Sequence, residues 1–196
     1  VSPALAGLAY LIVSIVDAVA DPVVGLWSDR FQSRWGRRHP FMFFSAFPIA
    51  IGFYFLYQPI NGLSETGLVV WLVIFFAVVR LGQTFYLIPH DALGAELTND
   101  YDDRTSIFGY NNVAEMILSM VTVAILYLLI FPTVEEGKNG LLNEGGYVVM
   151  AWTGSITIMF SVLLTTLSTL DQVPFMRKVE KSQKFFSRGY FAEIRT

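Results

Sequence analysis

The sequence predicts an all-α, polytopic membrane protein, and three observations predict it. Apolar residues make up 54% of the chain, charged residues only 15%, and mean hydropathy is +0.54; a soluble domain carries about 25% charge. Five apolar segments recur along the 196 residues, each near the length of about 20 that a helix needs to cross a bilayer core. None has the roughly ten-residue alternation of a membrane β-strand. The same composition excludes other classes. Seventeen Phe, nine Tyr and four Trp are too many aromatics for a disordered tail. The absence of Cys removes disulfide scaffolds, thiolate zinc sites, iron–sulfur ligation and thiol catalysis. The two histidines, His39 and His90, are far apart, which argues against a His-rich metal site, and no cofactor is expected. A net charge of -3 with clustered basic residues argues against a nucleic-acid partner.

The five spans are expected at residues 4–27, 41–57, 68–93, 107–131 and 147–170, forming one partial transmembrane bundle over 1–170. The connectors orient them. The first, residues 28–40, holds Arg30, Arg34, Arg37 and Arg38, whereas the second, residues 58–67, holds no Lys or Arg. The third, residues 96–105, is acidic with Arg104, and its stretch from Tyr101 to Arg104 reads as a solvated loop. The fourth, residues 132–146, has Lys138 alone, and residues 171–196 form a basic tail. Lys and Arg in short connectors mark the cytoplasmic side. The first and third connectors and the tail are therefore expected inside, and the chain starts outside. Val1 stands directly at a membrane entry and the span count is odd. The chain thus reads as a fragment, lacking one preceding helix and a following half. A cleaved signal peptide is the alternative, though nothing in the chain resembles one.

Charges inside the spans carry the functional signal. Asp17 and Asp21 are four residues apart in the first span, on one helix face. Each Asp near a helix centre costs about 2.5–3.5 kcal/mol to insert, so a lipid-facing pair costs about 5–7 kcal/mol. They are expected to face the interior or a water-filled cavity. Neighbouring carboxylates resist double ionisation unless a cation lies between them. This suits binding of a proton or a hard monovalent cation. Pro22 removes a backbone hydrogen bond to Ala18 and can free that carbonyl as a further ligand. The alternative makes Asp21 a residue of the cytoplasmic end and Asp17 a structural ion-pair partner.

Arg80 lies near mid-depth in the third span, where an internal partner is expected. Asp17 is the natural one. The rival is an anionic or hydroxylated ligand, for which a guanidinium is a good donor fork. Thr84 offers a hydroxyl to a cation. Gln83, Tyr86 and Asn112 are candidate solute contacts, and all of these polar groups can equally bond neighbouring helices. Glu115 stands near the start of the fourth span with structural and functional readings both open. Small residues at Ala6, Gly7, Ala9 and Gly25 are expected to allow close helix approach.

The run from Asp17 through Asp21, Pro22, Gly25, Asp29 and Arg30 to Gly36, Arg37, Arg38, His39 and Pro40 resembles the glycoside–pentoside–hexuronide:cation symporter family. This is the melibiose permease branch of the major facilitator superfamily. The stretch from Ile88, Pro89 and His90 to Gly94, Ala95 and Glu96, followed by Asp100 to Thr105, agrees, and the match covers almost the whole chain. The resemblance implies two six-helix bundles around a central cavity. This chain would supply helices two to six of the amino-terminal bundle, and residues 171–196 would begin the central cytoplasmic loop. It also implies cation-site roles for Asp17, Asp21 and Thr84. Gly25, Asp29, Arg30, Gly36, Arg37 and Arg38 resemble the superfamily's cytoplasmic loop motif, which implies a charge clamp that forms in one access state and breaks in the other. In that clamp Asp29 is expected to meet a helix N-terminus or an Arg of the other bundle. Departures from the melibiose permeases fall at Leu87, Asp91 and Asn112, where that branch carries an Asp, an aromatic and an Arg.

The expected function is cation-coupled symport of a sugar or glycoside in the cell (inner) membrane, with proton or sodium as the coupling ion. The partners are then a sugar-like solute, membrane lipid and the remainder of the chain. A lipid-handling relative in the same superfamily is one alternative. A prenyltransferase-type membrane enzyme is another, with Asp17 and Asp21 paired with a second acidic motif at Asp100, Asp102 and Asp103.

Overall fold

In the computed structural model, residues 2–98, 100–132 and 140–175 are described. They form five helices long and apolar enough to cross a membrane, with no strand among them. Helix α1 is Pro3–Arg30, α2 His39–Tyr57, α3 Glu65–Glu96, α4 Tyr101–Ile125 and α5 Glu144–Ser168. A π turn, Leu126–Ile130, extends α4, and 3-10 turns at Gly140–Leu142 and Leu170–Phe175 flank α5. All five expected spans lie within these helices or their terminal turns. Residues 176–196, which hold most of the expected basic tail, and Lys138 lie outside the described residues.

Polar side chains cap the starts of α1, α3, α4 and α5. Ser2 accepts from Leu5 N at the start of α1, where Pro3 occupies a position whose N–H has no intrahelical use. Ser64 accepts from Gly67 N at the start of α3, and Asn143 from Gly145 N at the start of α5. The stretch from Tyr101 to Arg104 corrects the expectation of a loop. Asp100 Oδ1 accepts from Asp102 N at 2.8 Å and from Asp103 N at 3.2 Å, and α4 begins at Tyr101. Asp102 and Asp103 lie in its first turn, where negative charge complements the exposed N–H groups. Charge density made this stretch look like solvent, but the same charges start a helix.

Helix α2 is the centre of the packing. It lies between α3 and α5, and α1 packs on α3. Phe41, Met42, Ala46, Ile49 and Ala50 bury its length. Glycines set the closest approaches. A Cβ at Gly82 would stand 2.6 Å from Ile49 Cγ1, one at Gly52 2.9 Å from Val79 Cγ2, and one at Gly154 2.4 Å from Phe53 Cε1. These small residues let α3 and α5 seat against α2. The expectation placed such contacts on α1 instead. There a Cβ at Gly25 would meet Ile88 at an ordinary 3.8 Å and Gly7 has nothing within 4 Å; of those small residues, Ala9 is fully buried. Helix α4 has no buried residue; its main contacts are with the end of α3, where Gly94 faces Phe108, and through the π turn with α5.

Both membrane ends of the packed helices are tied. At one end Trp71 Nε1 donates to Phe55 O, and Tyr54 meets Trp152 while Tyr57 stacks on Tyr147. Such a belt suits a membrane–water interface. At the other, His39 Nε2 and Thr169 Oγ1 are 3.1 Å apart, joining the start of α2 to the end of α5.

Candidate functional site

The face of α1 that meets α3 carries Ala9, Val13, Val24 and Ser28, all buried. Asp17 and Asp21 continue the same three-to-four-residue stripe, so the contact that buries the apolar side chains also directs both carboxylates at α3. There they meet Thr84 and Arg80, themselves one turn apart. Thr84 Oγ1 lies 3.0 Å from Asp17 Oδ1 and 3.1 Å from Asp21 Oδ1. Arg80 Nη2 forms an ion pair with Asp17 Oδ2. Thr84 is buried, the Asp17 side chain is 13% exposed, and the Arg80 side chain is 45% exposed. The cluster therefore has a closed side at Thr84 and an open side at Arg80 and Asp21.

The chemistry of this cluster is constrained. One threonine hydroxyl has a single proton and can donate to one carboxylate at a time. Two carboxyl groups face one guanidinium inside the membrane helices, an excess of one acidic group. A proton shared between the carboxylates, or a monovalent cation held by Asp17, Asp21 and Thr84 oxygens, balances it. The spacing is right for oxygen ligation, since three candidate oxygens converge on one region.

The other expected solute contacts lie on α3 and α4. Gln83 is half-buried on α3. Tyr86 stacks on His90 at 5.2 Å and directs its hydroxyl toward Thr165 of α5. Asn112 is exposed on α4. The structure joins Arg80 to the carboxylates and turns Tyr86 toward α5.

A second constellation closes the arginine-rich end. The turn after α1 is made by Ser33 and Gly36: Gly36 N donates to Ser33 O, and Ser33 Oγ donates to Gly36 O at 2.7 Å. Gly36 has φ +85°, a left-handed conformation that disfavours any side chain. That turn delivers Arg37 and Arg38 to acidic partners. Arg38 Nη2 lies 3.0 Å from Asp29 Oδ1 and 3.2 Å from Glu96 Oε1, and Arg37 Nη2 lies 2.6 Å from the same Glu96 oxygen. Arg30 ends α1, where a cation complements the helix C-terminus, and Gly25 O accepts from Ser28 Oγ. Asp29 thus pairs with Arg38, the residue that caps the start of α2. Glu96 was missed as a site residue. The signal was its place in the Gly94-Ala95-Glu96 run, at the same membrane end as the arginines. Arg38 is buried, and its Nε and Nη1 find no hydrogen-bond partner among the described residues.

The sequence matches the MFS/sugar transport protein family across residues 1–196. The chain belongs to this family. It is accordingly a multi-pass integral membrane chain. It is 37% identical over 155 residues to an uncharacterized symporter, sll1374, of Synechocystis, covering 74% of this chain and 28% of that protein. It is 28% identical over 163 residues to the glucuronide carrier protein homolog of Escherichia coli, covering 83% and 34%. It is 30% identical over 110 residues to the sodium-dependent lysophosphatidylcholine symporter 1 of Xenopus tropicalis, covering 56% and 21%. The chain spans about a third of the length of the curated relatives it matches. Within this family the Asp17–Asp21–Thr84–Arg80 cluster stands inside the membrane and the Asp29–Arg38–Glu96 cluster stands at its arginine-rich boundary.

Proposed function

We propose that the protein to which this chain belongs is a secondary transporter that couples a monovalent cation to uptake of a sugar-like solute by alternating access. Asp17, Asp21 and Thr84 hold the cation, proton or sodium, and Arg80 meets the solute from the open side while remaining on Asp17. The observation that carries this reading is the excess of one carboxyl group over the single guanidinium in this cluster within the membrane helices. One cation neutralises it and permits reorientation of one bundle against the other. The Asp29–Arg37–Arg38–Glu96 network acts as the clamp of one access state. The chain corresponds to helices two to six of the amino-terminal bundle, with residues 171–196 leading into the central loop.

The relatives' printed names support a symporter, and the glucuronide carrier homolog favours a hydroxyl-rich or uronate solute. A lysolipid is the second reading, favoured by the lysophosphatidylcholine symporter relatives. Competition of solute uptake by glucuronides against lysophosphatidylcholine separates the two. The enzyme reading draws no support from the relatives' printed names, which are those of symporters and a carrier.

The test uses Asp17→Asn and Asp21→Asn in the full-length protein. An amide keeps the size of the carboxyl group but cannot carry the charge that the cation neutralises. Both variants are expected to lose cation-driven accumulation and to retain downhill exchange. Undiminished uphill uptake in both would remove the cation site from these residues.

A further inference from the structure

We propose that the groove between α1, α2 and α3 at the arginine-rich end binds an anionic phospholipid of the adjoining leaflet. One acyl chain fills the groove and the phosphate meets Arg34. The groove is a cavity of about 490 Å³ walled by Trp27 and Phe31 of α1, Phe41 and Phe44 of α2, and Leu81 and Phe85 of α3. Four of these rings brace one another: Trp27 and Phe31 both meet Phe41 edge-on, at 5.3 and 5.2 Å, and Phe85 contacts Trp27 and Phe41. The wall is therefore preformed. The one hydroxyl in the lining, that of Ser45, already donates to Met42 O at 2.7 Å. A hydroxylated solute finds no partner there, whereas a hydrocarbon chain loses nothing.

Its position separates the groove from the proposed transport site. Residues 78, 81, 82 and 85 of α3 line it, while Arg80 and Thr84 occupy a different face of the same helix. Along α2 the lining runs from Pro40, at the arginine-rich boundary, to Pro48. At 1.5 Å per residue that is about 12 Å, close to half of a hydrocarbon core of about 30 Å. The groove thus has the reach of one leaflet's chain and opens at the level of a headgroup.

Charge selects the headgroup. The connector at the groove's mouth carries four arginines, and Arg37 and Arg38 are engaged by Glu96 and Asp29. Arg34 is exposed, with its guanidinium 6.0 Å from the centre of the Trp35 ring. A guanidinium fork there matches a phosphate oxygen pair. Because α1 forms one wall, an occupied groove supports the helix that bears Asp17 and Asp21.

Trp27 supplies its own probe. In the full-length protein with every other tryptophan replaced by Phe, reconstituted in phosphatidylcholine bilayers, Trp27 fluorescence is measured against equal low fractions of two brominated lipids. Dibrominated phosphatidylglycerol is expected to quench Trp27 about five-fold more effectively than dibrominated phosphatidylcholine, the ratio for about 1 kcal/mol per basic residue at the surface. Arg34→Gln is expected to bring the two lipids to equality. Equal quenching in the parent protein would mean ordinary annular lipid and no site. No quenching by either would mean that another part of the chain or a second copy covers the groove. A preference unchanged in Arg34→Gln would overturn the headgroup assignment.

Discussion

Thr84 has one proton and faces two acceptors, so its hydroxyl is the sorting element of the proposed cation site. Thr84→Val keeps the shape and removes the oxygen. A hydrogen bond to a charged group is worth about 1.5–3 kcal/mol. The half-saturating cation concentration in Thr84→Val is therefore expected to rise by about tenfold or more, and Thr84→Ser to restore it. Cation-titrated uptake measures both, and an unchanged midpoint in Thr84→Val would exclude the hydroxyl as a ligand. At this scale much of the site was legible. The four-residue spacing of Asp17 and Asp21, and the cost of an Arg at mid-depth, required partners facing inward, and Arg80 does pair with Asp17. What spacing could not supply was direction across helices. Tyr86 turns to α5 and Asn112 lies on an exposed helix, because polarity alone does not say which neighbour a side chain meets. Glu96 pairs with Arg37 across 59 positions, a distance in sequence that carries no periodic signal.

Helix pairs in this fold depend on a few glycines, and the strongest case is α2 against α3. Gly82→Val places a Cβ where Ile49 Cγ1 would be 2.6 Å away and Ile49 N 3.3 Å away. The backbone nitrogen cannot yield as a side chain can. The variant is expected to lose about 1–3 kcal/mol of stability, as overpacked cores do, seen as an earlier thermal transition in detergent. A transition at the parent temperature would mean that α2 and α3 separate without penalty. Hydropathy located every helix but misjudged several ends. The start of α4 is set by the Asp100 cap and not by apolarity, and α1 continues to Arg30 through residues that read as connector. Ends are fixed by single local hydrogen bonds, from a side chain at the start of α4 and from the Phe31 backbone at the end of α1, which averages over segments erase.

The packed body of this chain is α1, α2, α3 and α5, while α4 contributes no buried residue. Alternating access requires two bodies that move around one site, and this chain spans about a third of its relatives' length. Reconstituted by itself, the chain is expected to give no saturable solute uptake in proteoliposomes. Saturable, cation-stimulated uptake would show that these five helices form a complete pathway. At this scale the family was legible from two motifs and the alternation of connectors, because both depend on local residue order. The solute was not, because polarity along the chain does not say which side chains face one another across helices.

The ion pair of Arg80 with Asp17 also has an electrical meaning. With both carboxylates ionised, the empty cluster keeps one negative charge, and one bound cation cancels it. In the proposed cycle, loaded helices then reorient without moving net charge through the membrane field, and empty helices return carrying a negative charge. A potential of 100 mV acts on such a charge with up to about 2.3 kcal/mol. An inside-negative voltage is therefore expected to speed net uptake at saturating cation and solute by hastening the empty return. Exchange with saturating cation on both sides never passes through the empty form and is expected to be indifferent to voltage. Potassium-clamped vesicles distinguish the two, and voltage-sensitive exchange would mean that the loaded cluster is not neutral.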